Sequence, residues 1–191
     1  MSTHTLHTEL NQPYFCTITC HRWLPLFEEA DAYSEVYNWF AHLQKDGCCV
    51  LGYVIMPNHI HCILFPTNEK KHLNKLVSEG KRFMAYGIVK RLKEKKLTHL
   101  PHQLSEGVQE NEKAKGKKHQ VFRLSFDAKE CVDEEMLEQK LAYIHNNPVS
   151  GKWNLVNDFT NYQFSSAPFY ELGVESDLLM HYKEVLHEIE L

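Results

Sequence analysis

Residues 49–65 read CVLGYVIMPNHIHCILF, two apolar runs joined by the turn dipeptide Pro57-Asn58. The pattern predicts a strand over 49–56, a tight turn, and a strand over 59–65 returning beside the first. Such a hairpin belongs inside a sheet, and the rest of the chain must cover that sheet. Tyr14–Cys20 (YFCTITC) alternates and is rich in aromatic and β-branched residues, so it predicts a further strand. Residues 28–46 carry Tyr33, Val36, Tyr37, Phe40 and Leu43 at helical spacing, and Gly47 follows as a stop signal. Residues 70–93 predict a second helix, with Leu73, Leu76, Val77, Gly80, Phe83, Gly87 and Ile88 along one stripe. The two glycines on that stripe imply close approach to a sheet. The stretch 97–120 has no clear period and reads as a polar insertion. Residues 121–127 (VFRLSFD) alternate and predict a fourth strand.

The order β-α-β-β-α-β is the ferredoxin-like arrangement, an α+β class with an antiparallel sheet and two helices on one face. The open face needs its own cover. A third helix over 133–147 supplies it: Asp133 is a good N-cap, Glu134 and Glu135 suit the positive end of the helix dipole, and Pro148 ends the segment. The tail from Trp153 is first aromatic and then amphipathic, and is expected to pack back. No repeat or boundary is visible. The expectation is one domain over 1–191, with a core of about 13–170, the 97–120 insertion and a helical tail.

The class is soluble and globular, with 43% hydrophobic and 24% charged residues. No apolar run approaches the roughly 20 residues that span a bilayer, and the first residues lack the features of a signal peptide, so no membrane association is expected. The six cysteines form no CxxC pair, which disfavours a zinc ribbon and implies a reducing, cytoplasmic setting. The net charge is -4, yet between Lys70 and Arg123 fifteen Lys and Arg face five Glu, leaving only six of the 21 basic residues elsewhere. One basic face on an acidic protein is the footprint expected for a phosphate backbone; a solvated Lys-rich surface with no partner is the equally weighted alternative.

The histidine pair raises the question of chemistry. In a strand, residues i and i+2 share a face, so His59 and His61 project together, about 7 Å apart along the strand. Ile60, Cys62 and Leu64 point the other way, which places Cys62 poorly as a third ligand. Taken alone, such a pair is more often structural than metal-binding. The third helix offers partners: Tyr143 and Asn147 are i and i+4 on one helix face. Two imidazoles and the Asn147 amide oxygen, with open positions, suit Mg²⁺ or Mn²⁺ holding a phosphate oxygen. Tyr143 beside that metal could act as a nucleophile. Taken singly, Tyr143 also reads as an interfacial tyrosine, and Asn147 as a helix C-cap before proline.

These residues carry a resemblance. PNHIHCIL at 57–64 resembles the HUH motif (His, hydrophobic, His) of single-tyrosine transposases. AYIHNNPV at 142–149 resembles the YIxxNPV segment of the REP-associated tyrosine transposases and their insertion-sequence relatives. YFCTITCHRWLPLF, GKRFMAYGIVKRL, FRLSFDAKECVDEEMLEQKLAYIHNNPV and YQFSSAPFY resemble further family segments, in order, over most of 13–170. The resemblance implies a metal-dependent transposase, a DNA nickase and strand transferase acting on single-stranded or hairpin DNA. Tyr143 would attack a phosphodiester to give a 5′-phosphotyrosyl link. His59, His61 and Asn147 would bind the divalent metal. Lys75, Arg82, Lys90, Arg91, Lys117, Lys118 and Arg123 are the basic residues expected to contact DNA, on charge and position rather than on the family match. Relatives include dimers and monomers, so both a homodimer and a monomer stay open. The rival readings are a domesticated DNA-binding or regulatory protein on the same fold, and an unrelated HxH metallohydrolase, which the absence of an HxHxDH continuation disfavours.

Overall fold

The computed structural model describes residues 6–69 and 71–189. In chain order the elements are β1 (Tyr14–Thr19), a 3-10 turn (His21–Trp23), α1 (Leu26–Glu29), α2 (Tyr33–Lys45), β2 (Cys48–Met56), β3 (His59–Pro66) and α3 (Leu73–Glu94). Then come α4 (His99–Glu106), α5 (Glu110–Lys113), β4 (Asp127–Glu130), α6 (Glu134–Asn146), α7 (Ala167–Leu172) and α8 (Tyr182–Ile189). The four strands form one antiparallel sheet in the order β2-β3-β1-β4. This is the expected α+β, ferredoxin-like sheet. Among the described residues no helix is long and apolar enough to cross a membrane.

Alternation along β3 sorts the two layers. Ile60, Cys62 and Leu64 join Cys16 and Ile18 of β1 in a core with Val36, Phe40 and Leu43 of α2 and Leu76, Val77, Met84 and Ile88 of α3. Ile63 and Phe65 face the other way, against Leu137, Leu141 and Ile144 of α6. Full burial of each such side chain stabilises the fold by roughly 1.5–3 kcal/mol relative to exposure. His59 and His61 are in phase with Ile63 and Phe65, so they lie on the α6 side. A bulge between Val50 and Gly52 turns Leu51 to that side as well. At Gly52 a Cβ would come within 2.4 Å of Leu141 Cδ2, so the missing side chain lets α6 settle onto β2. The Asp133 carboxylate caps α6 by accepting from the Met136 N–H at 2.7 Å.

The tail packs back as expected. Tyr162 donates its hydroxyl to the Ile55 carbonyl at 2.9 Å, and the Met180 N–H donates to Val50 at 3.0 Å. Of the amphipathic end of the chain, residues 190 and 191 lie outside the described residues.

Several elements differ from expectation. The helix expected over 28–46 is two pieces, because Asp31 adopts a left-handed φ of 49° between α1 and α2. It ends as expected, with Gly47 at φ 70°. The helix expected from Lys70 begins at Leu73, Lys70 itself lying outside the described residues. On that helix Phe83 is 56% exposed and Met84 takes the core position. Gly80 lies under Trp39 and Gly87 beside Glu35, so the glycines admit α2, not the sheet. The 97–120 stretch contains two helices, and Leu100, Leu104 and Val108 bury a short i, i+4, i+8 stripe. The fourth strand is displaced to Asp127–Glu130. Phe122 makes one bridge to Cys20, but pairing resumes only at Thr17 and Asp127, two residues longer on this strand than on β1. The excess loops outward around the Lys81 ammonium, which donates to the carbonyls of Arg123, Leu124 and Ser125 at 2.6, 3.1 and 3.2 Å.

Candidate active site

His59 and His61 are 5% and 6% exposed, with ring centroids 4.6 Å apart and planes at 77°. Each ring is oriented by a neighbour. Asn58 donates its amide N–H to the Trp23 carbonyl at 3.0 Å, which turns its Oδ1 toward His59 Nδ1 at 2.6 Å. That oxygen can only accept, so His59 carries its proton on Nδ1 and leaves Nε2 as the unprotonated ring nitrogen. His61 Nδ1 meets Thr17 Oγ1 at 2.9 Å, across the β1–β3 register. Phe15, also on β1, stacks on the His61 ring at 5.3 Å.

Burial pushes both imidazoles toward the neutral form. His59 falls to about 4, chiefly through desolvation; a hydrogen bond with Asn147 opposes the shift and the Lys152 charge adds to it. His61 falls to about 3 through desolvation and then the neighbouring His59. A neutral imidazole with a free ring nitrogen is the form that ligates metal.

α6 brings the expected partners to the pair. The Tyr143 ring lies 5.2 Å from the His61 ring and 5.8 Å from Phe15, and is 51% exposed. Asn147 caps the same helix and reaches His59. The i, i+4 spacing therefore delivers a phenol to one histidine and an amide to the other. Among the described residues no group of three or more His, Cys, Asp or Glu converges on a common point. The donors assembled here are two imidazole nitrogens and one amide oxygen. All three side chains are uncharged, so a divalent ion held by them would keep its charge and open positions for water and phosphate oxygens.

The basic candidates divide. Arg82, Lys90, Lys117, Lys118 and Arg123 line one groove of about 1320 Å³ between α3 and the 112–126 segment, together with Lys93 and Lys115. Lys75 lies outside this lining. So does Arg91, whose guanidinium is held by Glu35 at 3.0 Å, the Asp31 carbonyl at 2.9 Å and Ser34 Oγ at 2.7 Å. Its position pins α3 to the start of α2.

Residue patterns did not single out four neighbours of the histidines: Phe15, Thr17, Trp23 and Trp153. The alternation of β1 could have found Phe15 and Thr17, since both occupy the face opposite Cys16 and Ile18. Trp23 and Trp153 lie in connections with no period, and their ring centroids stand 5.7 and 6.0 Å from His59.

Fold and site together define a ferredoxin-like α+β protein with a buried, neutral histidine pair beneath a tyrosine-bearing helix. No protein-family model and no curated protein matches the sequence. Among solved structures the chain is similar to a REP-associated tyrosine transposase bound to a REP hairpin, with a TM-score of 0.58 over 94% of both chains at 17% identity. That likeness is one of fold.

Proposed function

We propose that this protein is a metal-dependent, HUH-type strand transferase of the transposase kind, acting on single-stranded or hairpin DNA. One observation supports the reading: α6 sets Tyr143 beside His61 and Asn147 against His59, so the proposed nucleophile and the proposed metal donors lie together. The fold it shares with a hairpin-bound transposase supports the same reading.

In this reading His59, His61 and Asn147 hold Mg²⁺ or Mn²⁺, which supplies polarisation and orientation of the scissile phosphate. The hydroxyl of the half-exposed Tyr143 gives up its proton to solvent water as its oxygen attacks phosphorus. A P–O bond to the tyrosine forms, the P–O3′ bond breaks, and the 3′ oxygen leaves and is protonated. The product is a 5′-phosphotyrosyl link and a free 3′-hydroxyl. A second 3′-hydroxyl reverses these steps and restores the phenol, so rejoining consumes no nucleotide cofactor. Thr17 and Asn58 keep the imidazoles oriented. The groove that gathers Arg82, Lys90, Lys117, Lys118 and Arg123 takes the DNA backbone.

The test is a denaturing gel of the protein with labelled hairpin and single-stranded DNA and Mg²⁺ or Mn²⁺. A covalent adduct forms with the wild type and none with Tyr143→Phe. An adduct that survives this change removes Tyr143 from its role. A second reading, a DNA-binding protein that no longer cleaves, is favoured by the groove alone, since the groove needs neither histidine. DNA binding with no adduct under any metal selects it.

A further inference from the structure

Trp23 is one of ten large apolar side chains left open to water among the described residues, at 47% exposure. Its surroundings are built rather than incidental. Arg22 and Trp23 both adopt left-handed backbone, with φ of 52° and 59°, a conformation that side chains with a Cβ seldom take. Residues held this way cluster where a side chain must be aimed. The aim is set by Asn58, which accepts at one end from His59 and donates at the other to the Trp23 carbonyl. One amide thus ties the Trp23 backbone to the histidine ring.

The indole also carries a cation. The Arg123 guanidinium lies 4.9 Å from the Trp23 ring centroid, and Arg123 is at the same time part of the basic groove. Lys152 likewise lies 5.3 Å over Trp153, whose ring centroid stands 6.0 Å from His59 at an interplanar angle of 45°. His59 therefore has two indoles within 6 Å, each paired with a cation. Aromatic faces beside positive charges are what a single strand of nucleic acid uses, bases on the rings and phosphates on the cations. Inside a paired stem each base face is covered by the next pair, so such a platform favours an unpaired nucleotide.

We propose that Trp23 is a base-stacking platform for an unpaired nucleotide, with Trp153 as its second wall, fixing the strand that runs from the groove past Arg123 to the histidine pair. Trp23 is a positioning residue that sets where along the strand the phosphate meets His59 and His61. This rests on the proposed DNA-strand chemistry for the identity of the ligand. Stacking tolerates any base, so the platform selects unpaired structure more than sequence.

The test uses the full chain with Tyr143→Phe, so that binding is read without cleavage. The probes are a DNA hairpin with a short single-stranded extension and the same hairpin blunt. Trp23→Ala is expected to weaken binding of the extended probe roughly tenfold or more and to leave the blunt probe unchanged. Trp23→Phe is expected to recover most of the loss. An unchanged melting temperature shows that the variant is folded. Of the three tryptophans Trp39 is buried, so quenching of emission by the extended probe reports Trp23 and Trp153. Equal affinity of Trp23→Ala and its parent for the extended probe, or equal loss on both probes, overturns the platform. If the otherwise wild-type protein still forms the adduct, the strand-transfer reading survives that result. If the parent binds neither probe, both readings fall together.

Discussion

At the scale of single residues, the site depends on how two neutral imidazoles are held. His59 and His61 are each oriented through Nδ1, by Asn58 and Thr17. Residues that orient a metal-binding histidine typically contribute 10- to 100-fold in metal affinity. Asn58→Ala is therefore expected to weaken Mn²⁺ binding by about that factor while Tyr143 stays in place; calorimetric titration with Mn²⁺ checks it, and unchanged affinity would show that Asn58 does not orient His59. The HxH pair and the Tyr143–Asn147 spacing were legible in the chain because period-2 and period-3.6 patterns set side-chain direction within an element. Arg91 was not. It reads as one more exposed cation on a basic helix, yet it is committed to Glu35, Asp31 and Ser34. Which cations stay free depends on what the neighbouring helix presents.

At the scale of elements, α6 and α3 owe their positions to small local features. The Asp133 cap fixes the start of α6, and its loss costs about 1 kcal/mol. Asp133→Ala is expected to lower stability by that amount and to slow adduct formation more than it weakens DNA binding, because the helix carries Tyr143. Urea denaturation and single-turnover cleavage read the two effects. Gly80 is a stronger case. A Cβ there would lie 2.3 Å from Trp39 Nε1, and an indole in a packed helix interface cannot shift easily. Gly80→Ala should raise helix propensity, by ~1 kcal/mol, yet overpacking costs roughly 1–3 kcal/mol. Net destabilisation in urea is the expected result; a stabilised variant would mean that α2 and α3 can separate without cost. The displaced fourth strand belongs to this scale too. Its alternation over 121–127 is real, but the inward-turned Lys81 draws the 123–125 carbonyls off the ladder.

At the scale of the whole molecule, protonation and salt act on many groups at once. His145 is 3% exposed, meets Ser166 Oγ through Nε2 at 2.9 Å, and is lowered to about 4 by burial. Between that value and the usual 6.5 the unfolded chain binds a proton that the folded chain does not, so stability falls as pH drops through this window. His59 and His61 act with the same sign. The contribution of His145 alone has an upper limit of about 3 kcal/mol. Urea midpoints measured from pH 7 down to pH 4 should fall progressively, and His145→Gln should flatten the fall; a flat profile in the parent would contradict neutral burial. The basic groove makes a separate prediction. DNA affinity should drop steeply with salt, and Lys117→Ala with Lys118→Ala should make the log–log slope shallower by about 0.7–0.9 for each phosphate that the protein no longer neutralises. A salt-independent affinity would remove the groove from DNA binding.

What the sequence by itself determined is local and periodic. The two faces of β3 and the Tyr143–Asn147 line follow from repeats of two and of 3.6 residues, and the hairpin at 49–65 and the Asp133 cap from the local chemistry of turn and capping residues. The helix order and its ferredoxin-like wrapping follow from the same patterns, because each apolar face has few places to be buried. The tertiary structure decided what meets across elements. It placed Trp23 beside His59 through Asn58, brought five of the seven basic candidates into one groove, and turned Arg91 and Lys81 to structural use. Those outcomes depend on strand register, bulges and the close approach of helices at glycines. Such features are set by packing between distant segments, and no window of sequence contains both partners.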